Sequence, residues 1–304
     1  MAVMGTFTHP KALWEGVFEW FGHMYGRYSP EWVHLVDEKK SKKNYEEVVQ
    51  TTSLGLAPVK TETLGISFSD LQQGYTTRAT HVTYGLGYIV SREKLEDNLY
   101  LETSLKGAEI LAESMHQTKE TVVANMYNRA FNSSYTFGDG KELLATDHPL
   151  TSGGTLSNEL STPAVLSEAA LEDLTIQIAQ ATDDVGLKIQ LRAECLVVPV
   201  QLQYEAYRIL NAVQRVGTAD NDPNAIKDMG VFPKGVKVNH YLTDANNWFI
   251  RTNVTRGGLT LYNRRPVEFA QDNDFDTENL KAKSTMRFSV TCADPRALYG
   301  SAPA

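Results

Sequence analysis

Residues 101–132 read LETSLKGAEILAESMHQTKETVVANMYNRAFN, with no proline. This stretch constrains the fold more than any other. Apolar residues recur at Leu101, Leu105, Ala108, Ala112, Met115, Val122, Met126 and Ala130, at steps of three, four or their sum, which is the helical period. Leu111, Val123 and Phe131 widen the stripe. Glu102, Lys106, Glu109, Glu113, Lys119, Glu120 and Arg129 fill the other side, and Glu102 with Lys106 is an i,i+4 pair in the favourable order. Asp97 or Asn98 can cap the start. Asn132-Ser133-Ser134, then Gly138 and Gly140, mark the end. At about 1.5 Å per residue the helix spans roughly 48 Å, far beyond the usual ~11–12 residues. Such a helix is either the long core helix of an α+β enzyme or a spine that supports an extended molecule. The rest of the chain must decide.

With 304 residues the chain can hold one large or two ordinary domains around a real core. Its 42% hydrophobic and 22% charged content is that of a globular protein. The formal charge of −8 and the lack of a long basic run argue against a protein that reads nucleic-acid sequence. The cluster Lys39-Lys40-Ser41-Lys42-Lys43 precedes Glu46-Glu47 and reads as a solvated turn. Cys195 (ECLVVPV) and Cys292 (FSVTCAD) sit in strand-like apolar surroundings and read as two buried thiols. Two cysteines without a CxxC pair cannot build a zinc site by themselves. No cofactor and no metal are expected. The N-terminus has neither the charged nor the apolar region of a signal peptide. No uninterrupted apolar stretch approaches 18 residues, so no membrane partner is expected. The expected compartment is the cytosol of the producing cell.

Trp14, Phe18, Trp20, Phe21, Tyr25, Tyr28 and Trp32 crowd the first 54 residues. Lys11 to Tyr25 is helix-like, with Trp14, Val17, Phe18 and Phe21 on one face, and Gly22, Gly26 and Pro30 break it. So many rings need burial. The arm either packs under the spine of its own subunit or lies on a neighbour, where aromatics are favoured anchors. Residues 55–92 change character. Ile66-Ser67-Phe68-Ser69 alternates, and Thr76 to Val90 is rich in threonine, tyrosine, valine and isoleucine, with Tyr84, Tyr88 and Val90 evenly spaced. With a reversal at Gln72-Gln73-Gly74-Tyr75 this reads as a β-hairpin or β-loop. A two-stranded ribbon is marginal alone and should lie on something, a neighbouring subunit being the natural candidate.

Residues 164–240 read as an α/β module. Ser167 and Glu168 open a helix carrying Leu171, Leu174, Ile178 and Ala181. Leu196-Val197-Val198-Pro199-Val200 is a buried strand. Gln201 to Val213 is a helix with Leu202, Ala206, Ile209, Leu210 and Val213 inward, and Asn221-Asp222-Pro223-Asn224 makes a turn. The strand Val236-Lys237-Val238 follows. Residues 241–304 look mainly β, with strands at Trp248-Phe249-Ile250, Leu259–Tyr262, Val267–Phe269 and Met286–Val290.

Candidate chemistry is sparse. Asp147, His148 and Ser152 share one loop, but neighbours in a loop do not make a triad, and there is no G-x-S-x-G elbow. Gly85-Leu86-Gly87 lacks the third glycine and the following helix of a nucleotide-binding loop. Asp272, Asp274, Asp276 and Glu278 begin like a calcium loop, but Thr277 occupies the glycine position and Lys283 that of the bidentate acid. They read as a solvated hairpin connection. No enzyme activity is expected.

The order of parts (arm, β-loop, spine helix, α/β module, closing strands) resembles the tailed-bacteriophage major capsid proteins of the Hong Kong 97-type fold, Mu-type major head subunits above all. Gly87-Tyr88-Ile89-Val90-Ser91-Arg92-Glu93 with Asp97 leads into the spine as in these proteins. Leu196-Val197-Val198-Pro199 feeding a helix at Gln201 is similar to their axial domain. Asn221-Asp222-Pro223-Asn224 lies where they have an NPN-like turn. Met286-Arg287-Phe288 and Asp294-Pro295-Arg296-Ala297-Leu298-Tyr299 resemble the closing strands of their peripheral domain. The resemblance implies an α+β capsid fold. Its parts would be an N-terminal arm (1–54), an extended β-loop (55–92), a peripheral domain with the spine helix (93–142), an axial domain (143–257) and closing strands of the peripheral domain (258–304).

It further implies pentamers and hexamers closing into an icosahedral shell around double-stranded DNA, bound without sequence specificity. A portal and separate scaffold or decoration proteins would be partners, and the virion, assembled in the host cytoplasm, the location. The arm begins at Met1 without a fused helical scaffold segment. Scaffold is therefore expected from a separate protein or not at all. The resemblance also brings a lysine cross-link on the extended loop. No lysine lies between Thr61 and Glu93, so non-covalent shells are expected. The inter-subunit contact candidates are Trp14, Phe18, Phe21 and Trp32 in the arm, and Tyr75 and Arg78 near the expected loop tip. Alternatives are an encapsulin-like nanocompartment shell, a soluble α/β enzyme built around His148 and Asp147, and another phage structural part such as a tail tube or decoration protein.

Overall fold

A computed structural model describes residues 10–63, 65–96, 100–214, 223–274 and 278–303, with the side chains of 10–16, 95–96 and 100–105 outside the description. In chain order, α1 (Pro10–Tyr25) is followed by β1 (Asp37–Lys40), β2 (Tyr45–Thr51), β3 (Gln73–Thr80), β4 (Val82–Val90), the short α2 (Arg92–Glu96) and the spine α3 (Tyr100–Asn128). A small hairpin of β5 (His148–Pro149) and β6 (Thr155–Leu156) precedes α4 (Glu168–Gln180), β7 (Ala193–Pro199), α5 (Gln203–Asn211), α6 (Ala225–Asp228), β8 (Val236–Asn239) and β9 (Trp248–Thr252). The strands β10 (Thr260–Asn273), β11 (Leu280–Thr291) and β12 (Leu298–Ser301) follow.

The 29-residue spine is about 43 Å long. Ala108, Ala112, Met115 and Ala130 are buried as the period requires, joined by Leu111 and Val123, while Val122 and Met126 are half-buried. The polar face departs from expectation. Glu120 is fully buried and Lys119 nearly so, because the arm covers them. The helix stops at Asn128, and residues 129–132 continue as turns. The expected caps Asp97 and Asn98 lie outside the described residues, as do the side chains of Leu101, Glu102 and Leu105.

Two four-stranded sheets carry the rest. One has the order β1-β10-β11-β4, with β1 parallel to β10 and the other pairs antiparallel. Tyr84 and Tyr88 of β4 turn inward as their even spacing suggests, Tyr84 stacking on Phe288 at 5.0 Å. The short strands expected at Leu259–Tyr262 and Val267–Phe269 are one long strand. Register shifts between Asn263 and Arg265 and between Arg265 and Glu268 keep it paired through a bend. The acidic stretch joins β10 to β11. Asp274 N–H donates to the Asn279 carbonyl, and Lys281 pairs with Asp274; Asp276 lies outside the described residues.

The second sheet, β12-β9-β7-β8, packs with α4 and α5 around Leu171, Leu174, Ile178, Leu196, Ala206 and Trp248. Ser167 caps α4 by accepting the Ala170 N–H at 3.2 Å. Two expectations change here. β12 pairs with β9, so Leu298 and Tyr299 close the sheet that holds β7 and not the sheet of β10 and β11. Val213 lies beyond the end of α5 and is exposed. Asn221 and Asp222 lie outside the described residues. Asn224 caps α6 through Lys227 N–H and donates to the Ile209 carbonyl at 2.5 Å, which fastens α6 to α5. Cys195 and Cys292 are buried and free, and burial pushes both thiols up.

Candidate assembly surfaces

The extended loop is built differently from the sequence expectation. Gln73-Gly74-Tyr75 is no reversal; it opens β3, which pairs antiparallel with β2. The ribbon is therefore 45–51 against 73–80. It is held to the body by its inner face, where Thr77 and Ala79 are buried. Gln50 Nε2 donates to the Ala293 carbonyl at 2.7 Å. Gly138 comes so close that a Cβ there would lie 2.4 Å from Thr77 Oγ1. His81 separates β3 from β4. Its Nε2 meets Ser41 Oγ at 2.9 Å and its Nδ1 meets Ser289 Oγ at 3.0 Å. One continuous run, 73–90, thus serves the ribbon with its first half and the four-stranded sheet with its second.

The connection between the two ribbon strands, residues 52–72, has no helix or strand among its described residues. It exposes Leu54, Leu56, Val59, Ile66, Phe68 and Leu71, with Val59 93% and Phe68 94% accessible. A concentration of exposed large apolar side chains on one loop marks an interaction site. The alternation at Ile66–Ser69 is real but belongs to no strand. Lys60 lies in this connection, directly ahead of Thr61, so the loop does carry a lysine. A second apolar surface is a groove of about 760 Å³ between β4 and α3, where Leu86, Ile89 and Ile110 are exposed beside Gly107. Tyr204 and Tyr207 of α5, and Met229 at the end of α6, are also exposed.

The arm divides between core and surface. Val17, Phe21 and Met24 of α1, and Trp32 in the 3-10 turn that follows, are buried in the core shared with the spine. Phe21 stacks on Phe269 at 4.8 Å, and Lys119 Nζ sits 3.8 Å over the Trp32 ring. Phe21 and Trp32 are therefore held inside their own subunit, because the spine offers the apolar cover their rings need. Phe18 faces outward at 59% accessible. Trp14 lies in α1, its side chain outside the described residues. Tyr75 is half-buried on β3. Arg78 lies over the Tyr45 ring at 3.6 Å and pairs with Glu47 at 3.7 Å, so both belong to the ribbon body, not to its tip. The five candidates with described side chains do not form one patch.

The arm packs under the spine of its own subunit, one of the two arrangements expected, and polar bonds that the sequence does not signal fasten it there. Glu120 accepts the Glu31 N–H on Oε1 at 2.8 Å and the Trp32 N–H on Oε2 at 2.9 Å. Burial holds its carboxyl up to about 7, against the pull of those two bonds. Tyr127, also on the spine, donates to the Leu35 carbonyl at 2.7 Å and meets Phe249 edge-on at 5.2 Å. One helix thus fixes the stretch after α1 and the sheet of β9 together.

In the loop of Asp147, His148 and Ser152, Asp147 and Ser152 are exposed while His148 is buried and bonded elsewhere. His148 is buried; Nδ1 is 2.6 Å from Asp139 Oδ2 and Nε2 is 3.1 Å from Asn158 Oδ1. Asp147 turns outward to Lys141 at 2.5 Å. Among the described residues no group of three or more His, Cys, Asp or Glu is placed to hold a metal, and no helix is long and apolar enough to cross a membrane.

The family model described as phage capsid protein matches residues 74–301, from the start of β3 through β12. The chain belongs to the phage capsid protein family. Solved structures agree in fold. The capsid of a native GTA particle is 14% identical, covers 90% of each chain and superposes with a TM-score of 0.56. The capsid of Ralstonia phage GP4 is 11% identical over 85% of this chain and 82% of its own, at 0.54. A virus-like particle from Pyrococcus furiosus is 11% identical over 95% and 98%, at 0.51. A search of curated protein sequences returns no match. As a phage capsid protein the chain is a structural shell subunit with the α+β capsid fold expected above, and its place is the virion capsid.

Proposed function

We propose that this phage capsid protein is the major head subunit, assembling as pentamers and hexamers into an icosahedral shell that encloses double-stranded DNA without sequence-specific binding. The observation that carries the reading is the loop 52–72, whose exposed Leu56, Val59, Ile66, Phe68 and Leu71 have no cover within the described part of the subunit. A neighbour in a shell supplies that cover. Area removed from water stabilises by about 25 cal/mol per Å², so a few such side chains per contact, repeated around a closed shell, suffice for assembly. A subunit of charge −8 does not grip phosphates non-specifically, which suits packaging and release.

The division of labour follows the resemblance: arm (1–54), extended loop (55–92) with its supporting ribbon reaching back to Tyr45, peripheral domain (93–142 and 258–304) and axial domain (143–257), β12 being shared with the axial sheet. Trp14, Phe18, Tyr75 and Arg78 remain contact candidates, with Phe68 and Ile66 added. A portal is the expected partner, scaffold comes from a separate protein or is not needed, decoration proteins are a further option, assembly takes place in the host cytoplasm, and no catalytic role is assigned. Light scattering after size exclusion, with negative-stain images of the largest peak, tests the proposal. Megadalton hollow shells or five- and six-fold rings are expected from the wild type. Phe68→Asp with Ile66→Asp should leave a folded single chain of 33.8 kDa. Shells formed equally well by the double variant would remove the loop from the interface.

A further inference from the structure

The bend in β10 gathers like charges. The register shift between Asn263 and Arg265 sets two residues, Arg264 and Arg265, opposite one, Arg287 of β11, and a bulge of that kind re-aims side chains. Like charges facing each other across a ladder destabilise a sheet, and the subunit does little to offset this. Nη2 of Arg265 donates to Thr285 Oγ1 at 3.1 Å and Nη2 of Arg287 to Asn44 Oδ1 at 2.8 Å, both neutral acceptors. Nε of Arg265 and Nε of Arg287 are buried without a hydrogen-bond partner. Among the described residues, the carboxylate paired with these arginines is Glu268, 3.7 Å from Arg265 Nε.

Strand alternation extends the charge over the same face. Lys283 precedes Arg287 on β11 by two strand repeats, about 14 Å. Lys39 of β1 is the register partner of Tyr262, which lies one repeat before Arg264. Lys39, Arg264 and Lys283 are exposed, and among the described residues none of them is paired with a carboxylate. The acid nearest this corner of the sheet, Glu46, is taken up by Ser41 and Lys43. The opposite face, with Ala282, Met286 and Phe288, is buried in the core shared with the spine.

We propose that Lys39, Arg264, Arg265, Lys283 and Arg287 form a patch that binds phosphates of the enclosed DNA backbone. The proposal rests on the shell reading above, which supplies the polyanion. A guanidinium presents a planar fork that matches phosphate geometry, and a lysine a point charge. Phosphate contacts carry no sequence information, in keeping with an enclosed DNA of any sequence. The net charge of −8 does not oppose the contact at close range, because charges are screened beyond about 8 Å at physiological ionic strength. A phosphate on the patch meets the arginines and Glu268 ahead of distant acids. The contact is weak for one subunit and adds over many copies facing one polyanion. The repulsion that costs the free subunit stability is relieved by the ligand.

Fluorescence anisotropy of a labelled DNA duplex, titrated with the smallest soluble form of the full-length chain, provides the test. Five contacts predict a slope of about −4.5 in log affinity against log salt, at about −0.9 per phosphate. Arg264→Gln should flatten the slope by about 0.9, and Arg264→Gln with Arg287→Gln by about 1.8. Lys106→Gln, at an exposed lysine of α3, should bind like the wild type. A wild type that does not bind, a slope unchanged in both arginine variants, or equal flattening in Lys106→Gln would overturn the site. Since the arginines repel, Arg264→Gln should melt at or above the wild type; a lower melting temperature would show an arginine serving the fold and overturn the proposal. Shell formation is read separately by light scattering. Arginine variants that form shells and no longer bind DNA support the site and leave the shell reading standing. Variants that bind DNA like the wild type and form no shells would make the patch a subunit contact and overturn it.

Discussion

Asn158 ties three stretches of chain with one buried amide. Its Oδ1 accepts the Ala145 N–H and faces His148, and its Nδ2 donates to the carbonyls of Leu143, Pro295 and Leu298. Asn158→Ala leaves those groups buried without partners, each costing roughly 1–3 kcal/mol. A loss of about 4 kcal/mol is expected in urea unfolding, and a loss below 1 would contradict the geometry. His148 belongs to the same set, so His148→Ala should also destabilise, without implying catalysis. Glu120 gives the pH dependence of stability. Its folded pKa, about 7, lies above its ordinary value of 4.5. The native state therefore binds the extra proton, and the stabilisation is complete below pH 4.5 and lost as pH rises through 7. The shift corresponds to about 3 kcal/mol. His34, His81 and His116 are lowered by burial and act in the opposite direction, so the readout is the difference between the two proteins: in unfolding at pH 5 and 8 the wild type should lose stability relative to Glu120→Gln as pH rises. Neither residue is legible as special in the sequence. Glu120 sits where helical periodicity assigns a solvent face, and only the arm, 88 positions away in sequence at Trp32, takes it out of water.

At the scale of elements, the spine was legible because its apolar period repeats over many turns, so an error at one position does not change the reading. Helix α4 was legible from its serine cap, and β7 from its apolar run. The ribbon was not. Whether Gln73–Tyr75 turns or extends depends on β2, more than 20 positions earlier, and residues rich in threonine suit either reading. The same non-locality hid the single long strand β10, whose bulges look like strand ends when read alone. Gly138 is where the ribbon meets the body most closely, and Gly138→Ala places a methyl against Thr77 Oγ1 and, at 2.7 Å, the Thr76 carbonyl. Overpacking of that kind costs about 1–3 kcal/mol. The expected result is a lower melting temperature and faster hydrogen exchange in 73–80, with α4 and β7 unaffected. Equal loss in both regions would show that the ribbon is not a separable element.

For the whole molecule, the family was legible from the order of parts more than from any single motif, since each motif is short. Contacts between subunits were not, because the aromatic residues that suggested them are needed partly inside. The resemblance implies a lysine cross-link on the extended loop, and Lys60 is the lysine that residues 55–92 offer for it. Boiling purified shells in detergent settles the chemistry: apolar contacts alone predict one band near 34 kDa, and a ladder that Lys60→Arg abolishes would show a covalent shell. The pairing of β1 with β10 and of β9 with β12 has a consequence for how the subunit is made. Asp37 must wait for Thr260, and Trp248 for Ser301, to leave the ribosome. At about 5–20 residues per second, the first wait lasts on the order of 10–40 s. Throughout it β1 and β4 present open edges that invite pairing with other chains. A nascent chain cannot complete the first sheet before Thr291, nor the second before Ser301, has left the ribosome, so a chain cut short ahead of Thr291 has neither sheet closed and offers its neighbours open edges in place of a finished surface.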